Sequence, residues 1–207
     1  MSDAITRFPL FPLGLVLLPT EVVPLHIFEE RYKTMVSECI EEEREFGIVW
    51  MSDAGLRDVG CTAEIAEVLE RTEDGRSNIL VHGSRPFRLV RRIDDMEYPA
   101  GDIELLEEPG DEDVEAEVAE EARERYADLV ARVTDTRPEQ AELAELDSYR
   151  MAATVDFEPD LKQSLLEQRS EEGRLRMVAE MLTAAMKRID YAERAGDVAR
   201  SNGKVRS

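Results

Sequence analysis

The chain has 207 residues, enough for one large domain or two small ones with a substantial core. Acidic residues outnumber basic residues by 47 to 26, which gives a net charge of -21. Because such a surface repels phosphate backbones, the composition argues against a nucleic-acid partner. The two cysteines, Cys39 and Cys61, cannot form a disulfide framework, and we expect free thiols in a reducing, cytoplasmic compartment.

The most apolar segment, residues 8–32, reads FPLFPLGLVLLPTEVVPLHIFEERY. Four prolines interrupt it, and each lacks a main-chain donor and clashes with a preceding helical turn. The segment therefore predicts short extended strands, followed by a helix that begins near Ile27. It excludes a membrane span, which needs about 20 apolar residues in unbroken helix, and we expect no membrane partner. It also differs from a signal peptide, because Arg7 is the sole cation before it and no small-residue cleavage site follows.

Residues 28–42 predict a helix, because apolar residues recur there at three- and four-residue steps. The opposite face carries charged residues and is interpreted as solvated. The buried face is predicted to contain Phe28, Tyr32, Met35, Val36, Cys39 and Ile40.

Short strands are predicted in the rest of the first half, where aliphatic and β-branched residues are concentrated. Glu73-Asp74-Gly75-Arg76 predicts a hairpin turn, with glycine where a positive φ is required. Several short strands at this spacing indicate a partly closed barrel. The predicted strands are 47–51, 61–71, 77–82, 86–93 and 102–106.

An acidic amphipathic helix is predicted after Glu107. Its charged face is interpreted as solvated, and an acidic interaction surface is the alternative. The apolar stripe beneath the charge consists of Val114, Val118, Ala122, Tyr126 or Leu129, and Val133.

Three further helices are predicted. Thr136 is expected to cap the first, with Pro138 in its first turn and Glu139 completing a capping box. This helix is expected to bury Leu143, Leu146, Tyr149 and Ala153. A short helix follows at 160–168, and Ser170 is predicted to cap the last helix, which reaches about Arg194.

No residue pattern predicts catalysis, a cofactor or a metal. His26 is interpreted as a structural hydrogen-bonding residue, and His82 as a strand residue that faces solvent. Cys39 lies on the buried helix face, which favours a core thiol, and no C-x-x-C spacing predicts a metal site. A small hydrolase is the alternative; it requires a pocket that joins a histidine to a nucleophile or to a pair of carboxylates.

The proline-rich opening resembles the start of the N-terminal substrate-binding domain of Lon proteases. The matching positions are Pro9 to Leu13 and Pro24 to Tyr32. The resemblance continues in order at 59–68, at 74–83, at Arg85-Pro-Phe-Arg88 and at 162–167, and spans about residues 8 to 190. It departs at Gly173, where many relatives place a glutamate, and this costs helix propensity without threatening the assignment.

The resemblance implies a pseudo-barrel of the PUA-like type, followed by a helical bundle, and a role in recognising unfolded or damaged proteins. Full-length members of that family are ATP-driven proteases. The only Gly-Lys pair, Gly203-Lys204, lacks the first glycine of an ATP-binding loop, since Val198 occupies that position. None of the four lysines lies in a motif like the serine–lysine protease site, and no length remains for either catalytic domain. We therefore expect no enzyme activity.

Four residues are candidates for partner binding. Met177 and Met181 widen the apolar arc of the last helix, and methionine suits adaptable contacts with varied partners. Trp50 and Met51 stand just before a predicted loop. The alternative for all four is packing within the protein.

These observations predict an α+β protein with a β-rich subdomain at 1–108, a helical subdomain at 109–195 and a polar, disordered tail at 196–207. The leading hypothesis is a stand-alone, non-catalytic module that binds exposed apolar segments of unfolded proteins. It would act as an adaptor in protein quality control, with a separate ATP-dependent protease as a further partner. The remaining alternative is a PUA-like RNA-binding surface at Arg85, Arg88, Arg91 and Arg92.

Overall fold

The computed structural model describes residues 4–106 and 114–203, with side chains as far as residue 195. It is an α+β structure, as predicted, with a β-rich first half and a helical second half. The strands are β1 (Ile5–Leu13), β2 (Val22–Ile27), β3 (Phe46–Ser52), β4 (Gly55–Arg71), β5 (Ser77–Ile93) and β6 (Ala100–Leu105). The helices are α1 (Glu30–Glu41), α2 (Ala116–Thr134), α3 (Gln140–Ala144), α4 (Ser148–Ala153), α5 (Pro159–Glu167) and α6 (Glu171–Gly203).

Five of the six strands close into a barrel. Their order is β5-β4-β3-β1-β6, and β6 returns to pair with the second half of β5. Closure depends on β5 being one strand of 17 residues, where the sequence predicted two separate strands. Pro86 is tolerated inside β5 because the opposite strand shifts register there, between Cys61 and Ala63, so the ladder is already interrupted.

A small apolar cluster of its own fills the barrel interior. The rings of Phe8 and Phe87 meet edge to face inside it, with centroids 6.1 Å apart. Gly60 adjoins this cluster, and a Cβ there would lie 2.5 Å from the carbonyl oxygen of Ile48. The barrel is therefore a packed core and not a channel. Its buried residues are Phe8, Leu10, Val49, Phe87, Leu89 and Ile103.

Helix α1 begins later than the sequence predicted. β2 continues through Ile27, and the helix starts at Glu30. Phe28 therefore precedes the helix and is exposed, and Ile40 at its far end is also exposed. The other four residues of the predicted face are buried against the sheet, namely Tyr32, Met35, Val36 and Cys39.

Helices α2 and α6 run parallel along each other. Ion pairs join Arg176 to Glu115 at one end and Arg132 to Glu193 at the other. Four residues of the apolar stripe predicted for α2 are buried, namely Val118, Ala122, Tyr126 and Leu129. Val114 precedes the helix and is half-buried, and Val133 is 66% exposed because α2 ends one residue later.

The connection after α2 differs from the prediction. Thr136 does not cap a helix; α3 begins at Gln140, where Glu139 and Glu142 form the capping box. Residues 135–139 reverse the chain instead, with Asp135 at a left-handed φ of 57°. The single helix predicted here is divided into α3 and α4, and Asp147 caps the second by accepting from the main-chain N–H of Arg150 at 2.8 Å.

Ser170 caps α6 as predicted, because its Oγ accepts from the main-chain N–H of Gly173 at 3.1 Å. The helix then continues to Gly203, past the predicted end near Arg194. The physical reason is that Gly196 costs only about 1 kcal/mol inside a helix and does not end it. The predicted disordered tail is therefore helical as far as residue 203, while residues 204–207 and the predicted boundary near residue 108 lie outside the described residues.

Helix α5 joins the helical half to the sheet. Gln163 donates from Nε2 to the carbonyl of Val59 on β4 at 3.1 Å, and Lys162 pairs with Glu21 just before β2 at 2.5 Å. Both side chains of the ion pair are nearly buried, so the two halves are fixed to each other by specific polar contacts. Within the described part of the chain, no helix has both the length and the apolar character of a membrane span.

Candidate functional site

A three-stranded arm extends past the barrel. We define it as β2 together with residues 64–71 of β4 and residues 77–82 of β5. β3 begins at Phe46 opposite Ala63, so it does not reach this part of β4. Among the described strands, β2 pairs only with β5. The arm therefore has an open edge on each side.

The turn at the tip of the arm forms as the sequence predicted. Gly75 has a φ of 81°, and Thr72 accepts from its N–H at 3.0 Å and donates its own N–H to the carbonyl of Arg76 at 2.9 Å. The hydroxyl of Thr72 also donates to Asp74, and this hydrogen bond lowers the pKa of the carboxyl below its usual value. The tip is thus a compact polar turn that holds β4 and β5 in register.

Apolar side chains are exposed on the outer face of the arm. Val22 on β2, Phe28 just after it and Leu69 on β4 are each more than half exposed. Leu69 lies at a register shift between Val68 and Glu70, which adds an unpaired residue to the strand and turns it outward. Exposed apolar side chains grouped on one face mark interaction sites more often than isolated ones do.

Polar side chains cross the same face in one row. Nδ1 of His26 is hydrogen-bonded to Oδ1 of Asn78 at 2.6 Å, and Nδ2 of Asn78 donates to Glu70 at 3.0 Å. The ring of Phe28 stacks on His26 with centroids 5.7 Å apart. This row and the neighbouring apolar residues form a groove of about 430 Å³ lined by Pro24, His26, Leu69, Glu70 and Asn78.

The open edge of β2 presents main-chain groups to a partner. The N–H of Gly83 donates to the carbonyl of Glu21 at 2.9 Å, so Glu21 and Gly83 are a hydrogen-bonded pair. Hydrogen-bonded and non-hydrogen-bonded pairs then alternate along β2 and β5. Val22, Pro24 and His26 consequently direct their main-chain groups away from β5. Pro24 has no N–H to donate, so the edge offers N–H donors at Val22 and His26 and carbonyl acceptors at all three positions.

Two of the four predicted binding residues lie at the other end of β4. Trp50 is half-buried, packs on the main core and has the guanidinium of Arg57 5.6 Å above its ring. Met51 is 45% exposed beside the hairpin between β3 and β4, opposite Leu56. Leu56 is separated from Glu64 by a rise of roughly 26 Å along the strand. The structure therefore does not bring Trp50 and Met51 to the arm.

Of the two predicted methionines of the last helix, Met181 is buried and Met177 is half-buried. Met181 is 7% exposed, and Met177 packs against the same buried cluster. Their side chains thus match the alternative reading of packing between helices. In this conformation Met181 offers no surface to a partner.

Among the described residues, neither histidine is hydrogen-bonded to a nucleophilic side chain. His26 contacts Asn78 and Phe28, as a structural hydrogen-bonding residue would. Cys39 is buried, which raises the pKa of its thiol to about 11, and burial also raises the pKa of the Cys61 thiol. In residues 4–106 and 114–203, no group of His, Cys, Asp or Glu is arranged to hold a metal ion.

The arginine patch proposed for RNA is partly neutralised by carboxylates. Arg85 pairs with Glu45 at 3.4 Å, and Arg91 pairs with Asp102 at 2.7 Å. The hydrogen bond from Arg91 lowers the pKa of Asp102, with a further contribution from a main-chain N–H. These pairs reduce the positive potential on which the RNA alternative depends.

The arm was not predicted from the sequence as a binding site. A signal was present, since a proline inside a strand indicates an edge strand, and Pro24 is such a residue. No sequence pattern predicted the exposure of Leu69 or of Phe28. Leu69 is exposed because of a bulge in β4, and Phe28 is exposed because α1 begins only after it.

Comparisons with known proteins agree with this architecture. The family model of the ATP-dependent protease La (LON) substrate-binding domain matches residues 7–184. The Lon protease of Anaeromyxobacter dehalogenans is 28% identical over 87% of this chain, and Lon protease 2 of Myxococcus xanthus is 27% identical over 84%. In each case the match covers 23% of the relative, so the chain spans about a quarter of the length of these curated relatives.

Solved structures show the same fold. A Lon N-terminal domain protein from Xanthomonas campestris has a TM-score of 0.64 at 25% identity, covering 84% of this chain and 97% of that one. The N-terminal domain of a Mycobacterium avium complex Lon protease has a TM-score of 0.63 at 20% identity, covering 87% and 98%. Together with the family match over most of the sequence, these likenesses show that the chain belongs to the family of Lon substrate-binding domains.

Proposed function

We propose that this chain is a non-catalytic polypeptide-binding domain that takes exposed apolar segments of unfolded or damaged proteins on its arm. The observation that carries the proposal is the coincidence of an open strand edge with exposed apolar residues on one face of the arm. An unfolded chain can pair with the open edge through its unpaired main chain, and its exposed apolar side chains can contact the apolar residues of the arm.

The proposed mode of binding is strand addition at β2. A segment beside β2 can accept from the N–H groups of Val22 and His26 and donate to the carbonyls along the edge. Alternate side chains of that segment then lie beside the outward residues of β2, and Phe28 and Leu69 offer further exposed apolar surface on the same face to the rest of the unfolded chain. Affinity for any one segment should be low, since ordering an unstructured partner costs about 2–5 kcal/mol.

The wider role is also a proposal. A binding domain of this kind fits an adaptor in protein quality control that passes captured chains to a separate ATP-dependent protease. We propose a cytoplasmic location, where two reduced thiols persist, and no nucleic-acid partner at a net charge of -21.

The test is a titration of a fluorescently labelled, permanently unfolded casein with the purified protein, followed by anisotropy. The informative variants are Phe28→Ser and Leu69→Ser, which remove exposed apolar side chains from the arm. The matched control is Val133→Ser, which removes an apolar side chain that is also more than half exposed from the end of α2. Because burying one large apolar side chain contributes about 1.5–3 kcal/mol, each arm variant should weaken binding by about tenfold or more.

The control variant should bind like the parent protein. If the casein shows no association at high micromolar concentration, or if all three variants weaken binding equally, the proposed site is wrong.

A further inference from the structure

The second open edge of the arm forms a groove with a charged rim. It lies between the C-terminal end of α1 and residues 64–68 of β4, and its volume is about 400 Å³. We call it the acidic groove. Its floor is apolar and consists of Cys39, Ile40, Ile65 and Val68, and its rim carries Glu43, Glu64 and Glu67.

Local chain geometry creates this groove. Glu43 has a left-handed φ of 50°, and the N–H of Arg44 donates to the carbonyl of Cys39 at 3.0 Å. This turn ends α1 and leads the chain into β3, which starts only at Phe46. β4 beyond Ala63 consequently faces the end of a helix where a strand would otherwise lie.

The register of β4 separates the charges of the rim from the apolar floor. Glu64 and Glu67 lie opposite His82 and Leu80, which are successive outward residues of β5, because an extra residue is inserted between Ile65 and Glu67. The two carboxylates therefore lie on one side of the strand, about 7 Å apart. Ile65 and Val68, by contrast, stand opposite buried residues of β5 and line the floor.

The carboxylates of the rim lack cationic partners. Within the described residues, the side chains of Glu43, Glu64 and Glu67 make no hydrogen bond or ion pair, although Glu43 donates its main-chain N–H to the carbonyl of Ile40. Arg44 in the wall of the groove is already committed, because it pairs with Glu38 at 3.1 Å and with Glu42 at 3.0 Å. The rim is therefore a local concentration of uncompensated negative charge over an apolar floor.

We propose that the acidic groove binds an extended polypeptide segment in which basic and apolar side chains alternate. In such a segment, residues i and i+2 are about 7 Å apart on one side and meet Glu64 and Glu67. The apolar residue between them points to the floor at Ile65 and Val68. The bulges in β4 interrupt its ladder and disfavour a continuous added strand, so side-chain contacts dominate here. This inference rests on the proposed function and adds a substrate class, namely cationic apolar segments.

The experiment uses three labelled peptides in which leucine alternates with lysine, with glutamine or with glutamate. Dissociation constants are measured at low and at high salt for the parent protein and for the double variant Glu64→Gln/Glu67→Gln. The control is Glu117→Gln/Glu120→Gln, which makes the same charge change on the exposed face of α2.

The parent protein should bind the lysine peptide about three- to tenfold more tightly than the glutamine peptide, and added salt should reduce this preference. The groove variant should lose the preference, and the α2 variant should keep it. Two results would overturn the inference while the glutamine peptide still binds: the parent protein shows no preference for lysine, or the groove variant keeps that preference. Either result would leave the proposed function standing. Failure of every peptide and of unfolded casein to bind would overturn both.

Discussion

Two arginines on α6, two residues apart and therefore on different sides of the helix, show how burial determines the stability contributed by an ion pair. Arg174 and Arg176 each pair with a glutamate in the first turn of the helix, at 2.7 Å to Glu171 and at 2.8 Å to Glu172. The side chain of Arg174 is 2% exposed, whereas that of Arg176 is 54% exposed. We predict that Arg174→Ala strongly lowers the free energy of unfolding and that Arg176→Ala changes it little.

The expected loss in the free energy of unfolding follows from the partners that lose the guanidinium of Arg174. Its guanidinium donates to Glu171, to Oγ of Ser148 at 3.0 Å and to the carbonyl of Gln168 at 3.1 Å, and it lies 4.5 Å above the ring of Tyr149. Removing one partner of a buried ion pair costs about 3–5 kcal/mol. Because Glu171 keeps hydrogen bonds from Ser148 and is 24% exposed, the lower end applies. We expect a loss of about 3 kcal/mol, or a fall in Tm of roughly 6–12 °C for a chain of this size.

The assay is urea unfolding followed by far-ultraviolet circular dichroism and by the fluorescence of Trp50, the sole tryptophan. The m-value should be unchanged, so that the shift in midpoint reports stability alone. Arg174→Lys should also destabilise, because an ammonium group cannot reproduce the planar fork of hydrogen bonds. Equal midpoint shifts for Arg174→Ala and Arg176→Ala would show that burial does not set the contribution of these ion pairs to stability.

Three further predictions concern the arm, the backbone and the thiols. His26→Pro removes the N–H at the open edge of β2 and should weaken casein binding more than His26→Ala, which keeps it; equal binding by anisotropy would argue against strand addition. Gly83→Ala should cost about 2–3 kcal/mol in urea unfolding, because its Cβ would overlap the carbonyl oxygen of Leu18, whereas Gly14→Ala has open space and should be neutral. Since burial raises the pKa of Cys39 from 9.0 to about 11, the folded protein at pH 8 should react with iodoacetamide about a hundredfold more slowly than the unfolded chain. The unfolded thiol loses its proton at lower pH, so this group's contribution to stability should fall as the pH rises from 9.0 to about 11, as urea midpoints measured across that range will show.

Features that depend on a few neighbouring residues were predictable from the sequence. The turn at Glu73–Arg76 formed as expected because its glycine supplies the positive φ and Asp74 bonds to its own neighbours. The cap at Ser170 formed for the same reason, since its partner Gly173 is only three residues away. Thr136 lies in a similar pattern but does not cap a helix, because residues 135–139 form the turn between α2 and α3.

Features that depend on distant pairing were not predictable. The pairing of β2 with β5, for example Val22 with His82, joins residues 60 positions apart, and no local pattern predicts it. The same holds for the second edge of β2, which has no neighbouring strand among the described residues. The continuity of β5 through Pro86 likewise depends on a register shift in β4. The candidate site consists of such features, namely an open edge and a bulge. The methionines of α6 matched a local pattern, and of the two Met181 is buried while Met177 is half-buried against the core.

The open edge of β2 is proposed to receive an unfolded polypeptide, and amide hydrogen exchange of the full chain, measured with and without saturating unfolded casein, reports on that edge residue by residue. The edge amides of Val22 and His26 should become protected on binding, while exposed amides at the far hairpin near Met51 should exchange as before. Binding of casein without protection in β2, or with protection confined to the helices, would rule out this mode of binding.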